Sequence, residues 1–209
     1  MRISVTTVEQ FRLYQTADFV TEENLQASIR GEFKPTQFMR NGSAFHSILE
    51  APERFKVERG YSADGIFFPD DVVAPCLAVS PPGGVHEAKA VKVYDLRTGP
   101  VTVVAKADKL LGLRITERKT KWSGFNFDNY ADAYQWRFYC DIFRPASVTY
   151  DVFCLDEQRD GFVLKSIESF TLYPYPAVHQ DCVELLTQFV DYVNMRGLGS
   201  YLERAGEAF

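Results

Sequence analysis

The sequence predicts an α/β fold, a central mixed or antiparallel sheet flanked by helices, and three features carry that expectation. Strand-like runs joined by short turns fill 87–121, helical periods occupy 36–50 and 129–143, and a second hairpin with a closing helix covers 147–197.

Taken in order, Thr6 and Glu9 are spaced as a capping box for a short helix through Val8, Phe11 and Tyr14. TEENLQASI reads as a second helix that stops at Gly31. Pro35 and Thr36 open a longer helix with Phe38, Phe45, Ile48 and Leu49 as its apolar stripe, and Pro52 ends it. Residues 60–84 are rich in Gly, Pro and Asp and read as a loop or insertion. EAKAVKVYDL, the turn RTGP, VTVVAKADKL, a turn around Gly112 and LRITERKTKW form a three-stranded antiparallel meander. Asp128 is placed to cap NYADAYQWRFYCDIF, a helix that ends before Pro145. SVTYDVFCLD and FVLKSIESFTLY pair across a turn through Gly161, and AVHQDCVELLTQFVDYVNMRG is a helix stopped by Gly197.

With 209 residues the chain suits a single domain, 1–209, in which 145–209 is a C-terminal hairpin and helix extension. No apolar run approaches the ~20 residues of a membrane helix, and the opening MRISVTTVEQF has no leader pattern, so a cytoplasmic location and no membrane partner are expected. Cys76, Cys140, Cys154 and Cys182 are scattered without a CxxC pair and read as buried, reduced thiols. A net charge of −5 argues against a protein that coats nucleic acid. Yet residues 106–121 hold six basic side chains against two acidic ones, which suits a focused groove for a polyanion.

Gly42, His46 and Glu50 are four apart and share one helix face, beside the apolar stripe. A partly buried histidine at an amphipathic boundary accounts for them, and so does an imidazole and a carboxylate that reach one ion, with Gly42 leaving room for a close approach. Asp108 ends one strand, and Glu117 and Lys119 share a face of the next. A short turn brings Asp108 beside Glu117, and two carboxylates in contact repel unless a divalent cation lies between them. A hairpin with a surface salt bridge is the simpler account of the same residues. Gln135 and Tyr139 are again four apart, and Trp136 and Phe138 between them serve the core.

GSAFHSILEAPERF, Asp108, ITERKTKW and YADAYQWRFY, in that order, resemble the motif series of the PD-(D/E)XK nucleases, in particular the RecB-like and phage recombination exonuclease branch. The resemblance spans about residues 3–143, including the opening ISVTTVEQF. It implies a restriction-endonuclease-like α/β core and Mg2+- or Mn2+-dependent hydrolysis of DNA phosphodiester bonds, with an exonuclease preferred over an endonuclease. It assigns His46, Asp108 and Glu117 as metal ligands, Asp108, Glu117, Lys119 and Gln135 as catalytic residues, and Glu50 and Tyr139 as additional site residues. Lys106, Lys109, Arg118, Lys121 and Arg137 would track the phosphate backbone. RNA is compatible with such a site, and a homo-oligomer or a recombination partner protein fits the branch. The literal Pro69-Asp70 lies in the insertion and is rejected as the site. No cysteine stands at the early position that cluster-binding relatives use, so no iron–sulfur cluster is expected. The alternative is a non-catalytic nucleic-acid- or protein-binding regulator on the same fold.

Overall fold

β1 (Arg2–Ser4) runs directly into α1 (Val5–Thr16), followed by α2 (Glu22–Arg30), α3 (Gln37–Glu50) and the single turn α4 (Pro52–Phe55). A small sheet of β2 (Lys56–Val57), β3 (Gly60–Ala63) and β4 (Ile66–Pro69) leads into α5 (Asp70–Val79). The long strands β5 (Val85–Leu96), β6 (Gly99–Leu111) and β7 (Arg114–Lys121) come next, then α6 (Asp128–Ala131) and α7 (Gln135–Phe143). β8 (Ser147–Gln158), β9 (Gly161–Leu172), α8 (Val178–Met195) and α9 (Gly199–Arg204) complete the order. The computed structural model describes residues 1–79, 82–159 and 161–204. Residues 80, 81, 160 and 205–209, which fall in the expected insertion, second hairpin turn and C-terminal extension, lie outside the described residues.

The α/β architecture with a central mixed sheet flanked by helices is present, and the sheet has six strands. Two-residue turns fix its register: Arg97-Thr98 pairs Leu96 with Gly99, and Gly112-Leu113 pairs Leu111 with Arg114. Gly112 sits at φ 58°, which such a turn requires. β5 covers one edge of β6 from Leu110 down to Gly99. The opposite edge is shared. β1 pairs there in parallel with Thr102–Val104, and β7 pairs antiparallel only with Lys109–Leu111. Among the described residues no strand pairs with β6 residues 105–108 on that edge. β7 turns instead to β8, in parallel, from Arg114↔Ser147 to Lys121↔Cys154, and α6–α7 form the crossover that a parallel pair needs.

Apolar side chains cover both faces of β8, as its near-continuous hydrophobic run requires. Val152 joins the core under α1, α7 and α8 with Phe11, Phe138 and Phe189, while Phe153 joins the core under α3 and α5 with Phe45, Phe68 and Val73. Trp136 and Phe138 are buried as expected. All four cysteines are buried free thiols. Among the described residues no helix is long and apolar enough to cross a membrane.

Several local expectations are corrected. β1 precedes α1, and Ser4, not Thr6, caps the helix by accepting from the Thr7 amide at 3.1 Å. Glu9 is therefore free of a capping role, and it accepts the Tyr134 amide at 2.7 Å. That capture splits the expected 129–143 helix into α6 and α7. Phe127, not Asp128, stands at the α6 cap position. The described part of 60–84 is a hairpin and a helix with a core of their own, because Ala63, Phe68, Val72 and Cys76 pack under α3. Phe38 is 53% exposed and lies outside the stripe that buries Phe45, Ile48 and Leu49. The ends of α2 at Thr21 and Gly31, and the start of α3 at Thr36, fall as the sequence predicts.

α3 lies so close to β7 that a Cβ at Gly42 would stand 2.7 Å from Thr120 Oγ1. The glycine serves this helix–sheet contact, and it also lines the cleft that His46 and Asp108 share. Replacing Gly42 by Leu should lower the unfolding free energy by ~1–3 kcal/mol through overpacking. A Thr120→Ala change on that background should recover part of the loss, as read by urea denaturation of both variants.

Candidate metal centre

The site forms where β6 and β7 part. Their last ladder pair is Lys109↔Thr116, so the next facing positions are Asp108 and Glu117. Beyond that point side chains replace the missing ladder. The Arg118 amide donates to Asp108 Oδ2 at 2.7 Å, and the Asp108 amide lies 3.5 Å from Glu117 Oε2. From the first turn of α7, Gln135 Nε2 donates to Glu117 Oε1 at 2.7 Å. One turn on, the Tyr139 hydroxyl meets both Glu117 Oε2 at 3.0 Å and the Lys106 carbonyl at 2.6 Å. Gln135 Nε2 also lies 2.8 Å from that hydroxyl, tying the two helix residues together. Lys119, two residues along β7, donates to Glu117 Oε1 at 2.7 Å.

Glu117 has a side chain only 4% exposed, which fixes the electrostatics. Burial pushes its carboxyl above the ordinary range; Lys119 opposes that push and Asp108 adds to it. Burial likewise raises Asp108, against the pull of Lys119 and of the Arg118 amide. Burial alone would lower Lys119, but Glu117 and Asp108 together outweigh it, and its ammonium is held charged.

A cleft of about 660 Å3 opens above these groups, with His46 and Glu50 from α3, Glu87 from β5, and Asp108, Lys106 and Lys119 in its walls. One carboxylate oxygen from each of Glu50, Glu87 and Asp108 lies within 4.8 Å of the others. His46 Nδ1 is 3.8 Å from Asp108 Oδ2. Burial, helped by the charge of Lys119, pushes the His46 imidazole down to about 4, so at neutral pH it is uncharged and offers a lone pair. Three hard oxygen donors beside a neutral imidazole fit a divalent cation such as Mg2+ or Mn2+.

The structure thus brings His46, Glu50, Asp108, Glu117, Lys119, Gln135 and Tyr139 into one neighbourhood, with one shift in emphasis. Both oxygens of Glu117 are engaged with Lys119, Gln135 and Tyr139, and the carboxylates that converge in the cleft are Asp108, Glu50 and Glu87. Glu87 was missed by the sequence reading. The pairs His86↔Lys109 and Ala88↔Ala107 leave it opposite Asp108, outside the ladder, with φ 54° and an ion pair to Lys106. Two of the expected phosphate-tracking residues are corrected. Lys109 is 3% exposed and Arg118 is 4% exposed, so neither can follow a nucleic-acid backbone. Arg118 Nη1 donates to the Leu49 carbonyl at 3.0 Å and pins the end of α3 to β7. Lys106 retains an exposed side chain, whereas Lys121 and Arg137 line a second cleft of about 870 Å3 that also reaches Lys119. Asp70 of the literal Pro-Asp pair lies in the other sheet's neighbourhood, where it is ion-paired with Lys56.

No protein-family model matches the chain, and no curated protein matches it. Among solved structures, "Crystal structure of SSO0001" is similar, with a TM-score of 0.54 and 14% identity over 91% of this chain and 76% of that one. At this identity the likeness shows the fold alone.

Two outcomes check the geometry. Because burial raises the folded values of Asp108 and Glu117, their stabilising contribution is complete below the ordinary carboxylate range and is lost as pH rises through those values. In EDTA, Asp108→Asn should therefore gain in Tm relative to the wild type as pH is raised from about 4 towards neutral, read by thermal denaturation at stepped pH. Arg118→Leu should cost about 2 kcal/mol or more, since it strands the Leu49 carbonyl, while leaving the salt dependence of any DNA binding unchanged.

Proposed function

We propose that this chain is a metal-dependent nuclease that hydrolyses phosphodiester bonds of DNA, in the manner of the PD-(D/E)XK branch that its motifs resemble, acting on DNA ends in the cytoplasm. The observation that carries the reading is the convergence of the Asp108, Glu50 and Glu87 carboxylates in a cleft walled by neutral His46 and charged Lys119. Carboxylates so placed repel one another, and a bound cation removes that cost.

In this reading Asp108, Glu50, Glu87 and His46 would hold Mg2+ or Mn2+, with Glu117 directly behind them. When bound, the cation supplies a counter-charge for the phosphate and for the negative charge that builds on it during hydrolysis. The chain's own groups do the rest. Lys119 presents its ammonium to a phosphate oxygen or to the attacking water, and Glu117 keeps it charged and aimed. Gln135 and Tyr139 hold Glu117 and fix the unpaired stretch of β6 that carries Asp108. Lys106, Lys121 and Arg137 flank the site and would draw in the phosphate backbone. RNA would satisfy the same groups, and a ring-like homo-oligomer or an annealing partner would suit action on DNA ends.

The test is cleavage of linear and circular DNA with Mg2+, Mn2+ or EDTA. Linear DNA should be digested with either metal and left intact in EDTA, and Asp108→Ala and Lys119→Ala should each lose ~100-fold or more. Glu87→Ala should raise the metal concentration needed for half-maximal rate. Nicking of circles would move the reading to an endonuclease. Cleavage unchanged in both variants, or none on DNA or RNA, would overturn it in favour of a non-catalytic binding protein.

A further inference from the structure

A third cleft, of about 900 Å3, shares Lys106 with the cleft that holds the carboxylate cluster. Its walls come from β1, the first turn of α1, the end of α2, β5, β6 and α9. Arg2, Arg30, Lys89 and Lys106 line it, and among the described residues no aspartate or glutamate does. That imbalance is notable in a chain whose net charge is −5. Lys106 is paired with Glu87, which points back to the carboxylate cluster. Arg30 donates to the neutral Gln26 amide at 2.9 Å and stands over the Tyr201 ring at 5.9 Å. Arg2 has a buried Nε with no hydrogen-bond partner among the described residues. That nitrogen lies beneath the wall, and the half-buried guanidinium it belongs to turns its positive charge toward the cleft with no carboxylate partner among the described residues. The first turn of α1, which contributes Val5, Thr6 and Thr7 to the wall, contains no acidic residue. Its helix-end charge has the same sign as the basic side chains that line the wall.

The cleft is joined to the metal centre through two residues. Lys106 stands in the walls of both clefts. Tyr139, whose hydroxyl contacts Glu117 and the Lys106 carbonyl, also lines this one. We propose that this cleft holds the phosphates of one nucleic-acid strand next to the bond being cut, with Lys106 as the shared contact and Arg2, Arg30 and Lys89 as the onward ones. The proposal rests on the nuclease reading for the identity of the polyanion and goes further in assigning its path. An apolar floor of Ile3, Ile29 and Leu202, with Tyr201 at the side, suits the bases of an unpaired strand.

Binding can be separated from cleavage. In EDTA, fluorescence anisotropy of a labelled single-stranded 12-mer would be followed across a salt series for the wild type, Arg2→Ala/Arg30→Ala and Asp108→Asn. Loss of two contacts should weaken binding roughly tenfold at low salt and make the log–log salt slope shallower by about 1.4, at ~0.7 per single-strand phosphate. Asp108→Asn, which removes a carboxylate from beside the path, should bind in EDTA at least as tightly as the wild type. Since Arg2 lies in β1, Arg30→Ala/Lys89→Ala provides a second variant that leaves that strand untouched and should show the same direction. Wild-type affinity and slope in both double variants, or no binding by the wild type at low salt, would overturn the proposal. Metal-dependent cleavage measured on the same proteins judges the nuclease reading independently. Cutting without Arg2- and Arg30-dependent binding sinks the strand path alone, and the converse sinks the nuclease reading alone.

Discussion

The parting of β6 and β7 at Asp108 and Glu117 is the constraint on which the candidate site depends. A fully paired hairpin would commit the backbone groups of both strands to each other and turn these side chains into ordinary cross-strand neighbours. Here β7 leaves after three pairs to join β8, and β1 takes up the edge of β6 further down. The stretch between, residues 105–108, is held by the side chains of Tyr139 and Glu117. Side chains thereby do the work of a strand. The price is that they are buried with their charges, and the network around Glu117 offsets only part of it.

α3 completes the arrangement from the opposite face. Gly42 lets the helix approach Thr120, and Arg118 fastens its far end through the Leu49 carbonyl. With the helix held at these two points, His46 between them and Glu50 next to the second have little freedom in where they can sit relative to Asp108. Precision of this kind is what a metal-binding function needs, because small displacements of a ligand weaken the whole set. The same packing explains why two cations near the hairpin are structural. A basic residue on a strand that is covered on both faces must find its partners inside the protein.

Much of the site was legible because turns and helical spacing are local. The two-residue turn at Gly112 places Asp108 opposite Glu117, and four-residue spacing unites His46 with Glu50 and Gln135 with Tyr139. The same kind of count, made back from Arg97-Thr98, places Glu87 opposite Asp108, so a signal for the missed residue was present. What hid it was its position at the start of a predicted strand, where one acidic residue looks like solvent-facing alternation. β1 was obscured for another reason. Three residues have no period, and their strand conformation is set by β6, about 100 positions away. The split of the 129–143 helix and the burial of Lys109 and Arg118 likewise come from tertiary partners, Glu9 in the first case and the covered sheet in the others. Residues 60–79 misled through composition, since their Gly and Pro shape a tight hairpin and a helix over a small core.

The fork between β6 and β7 also has a consequence in time. A hairpin closed by two residues can form within microseconds, whereas contacts between distant segments are slower to find. The β6–β7 turn can therefore bring Asp108 and Glu117 together while both are still bathed in water and fully ionised. Solvent is excluded from them by non-local contacts, α7 over Glu117 and α3 over β7. The electrostatic penalty of the site thus falls on this non-local docking step and not on the turn itself. A divalent cation present at that moment would act on the rate of that step as well as on the stability of its product.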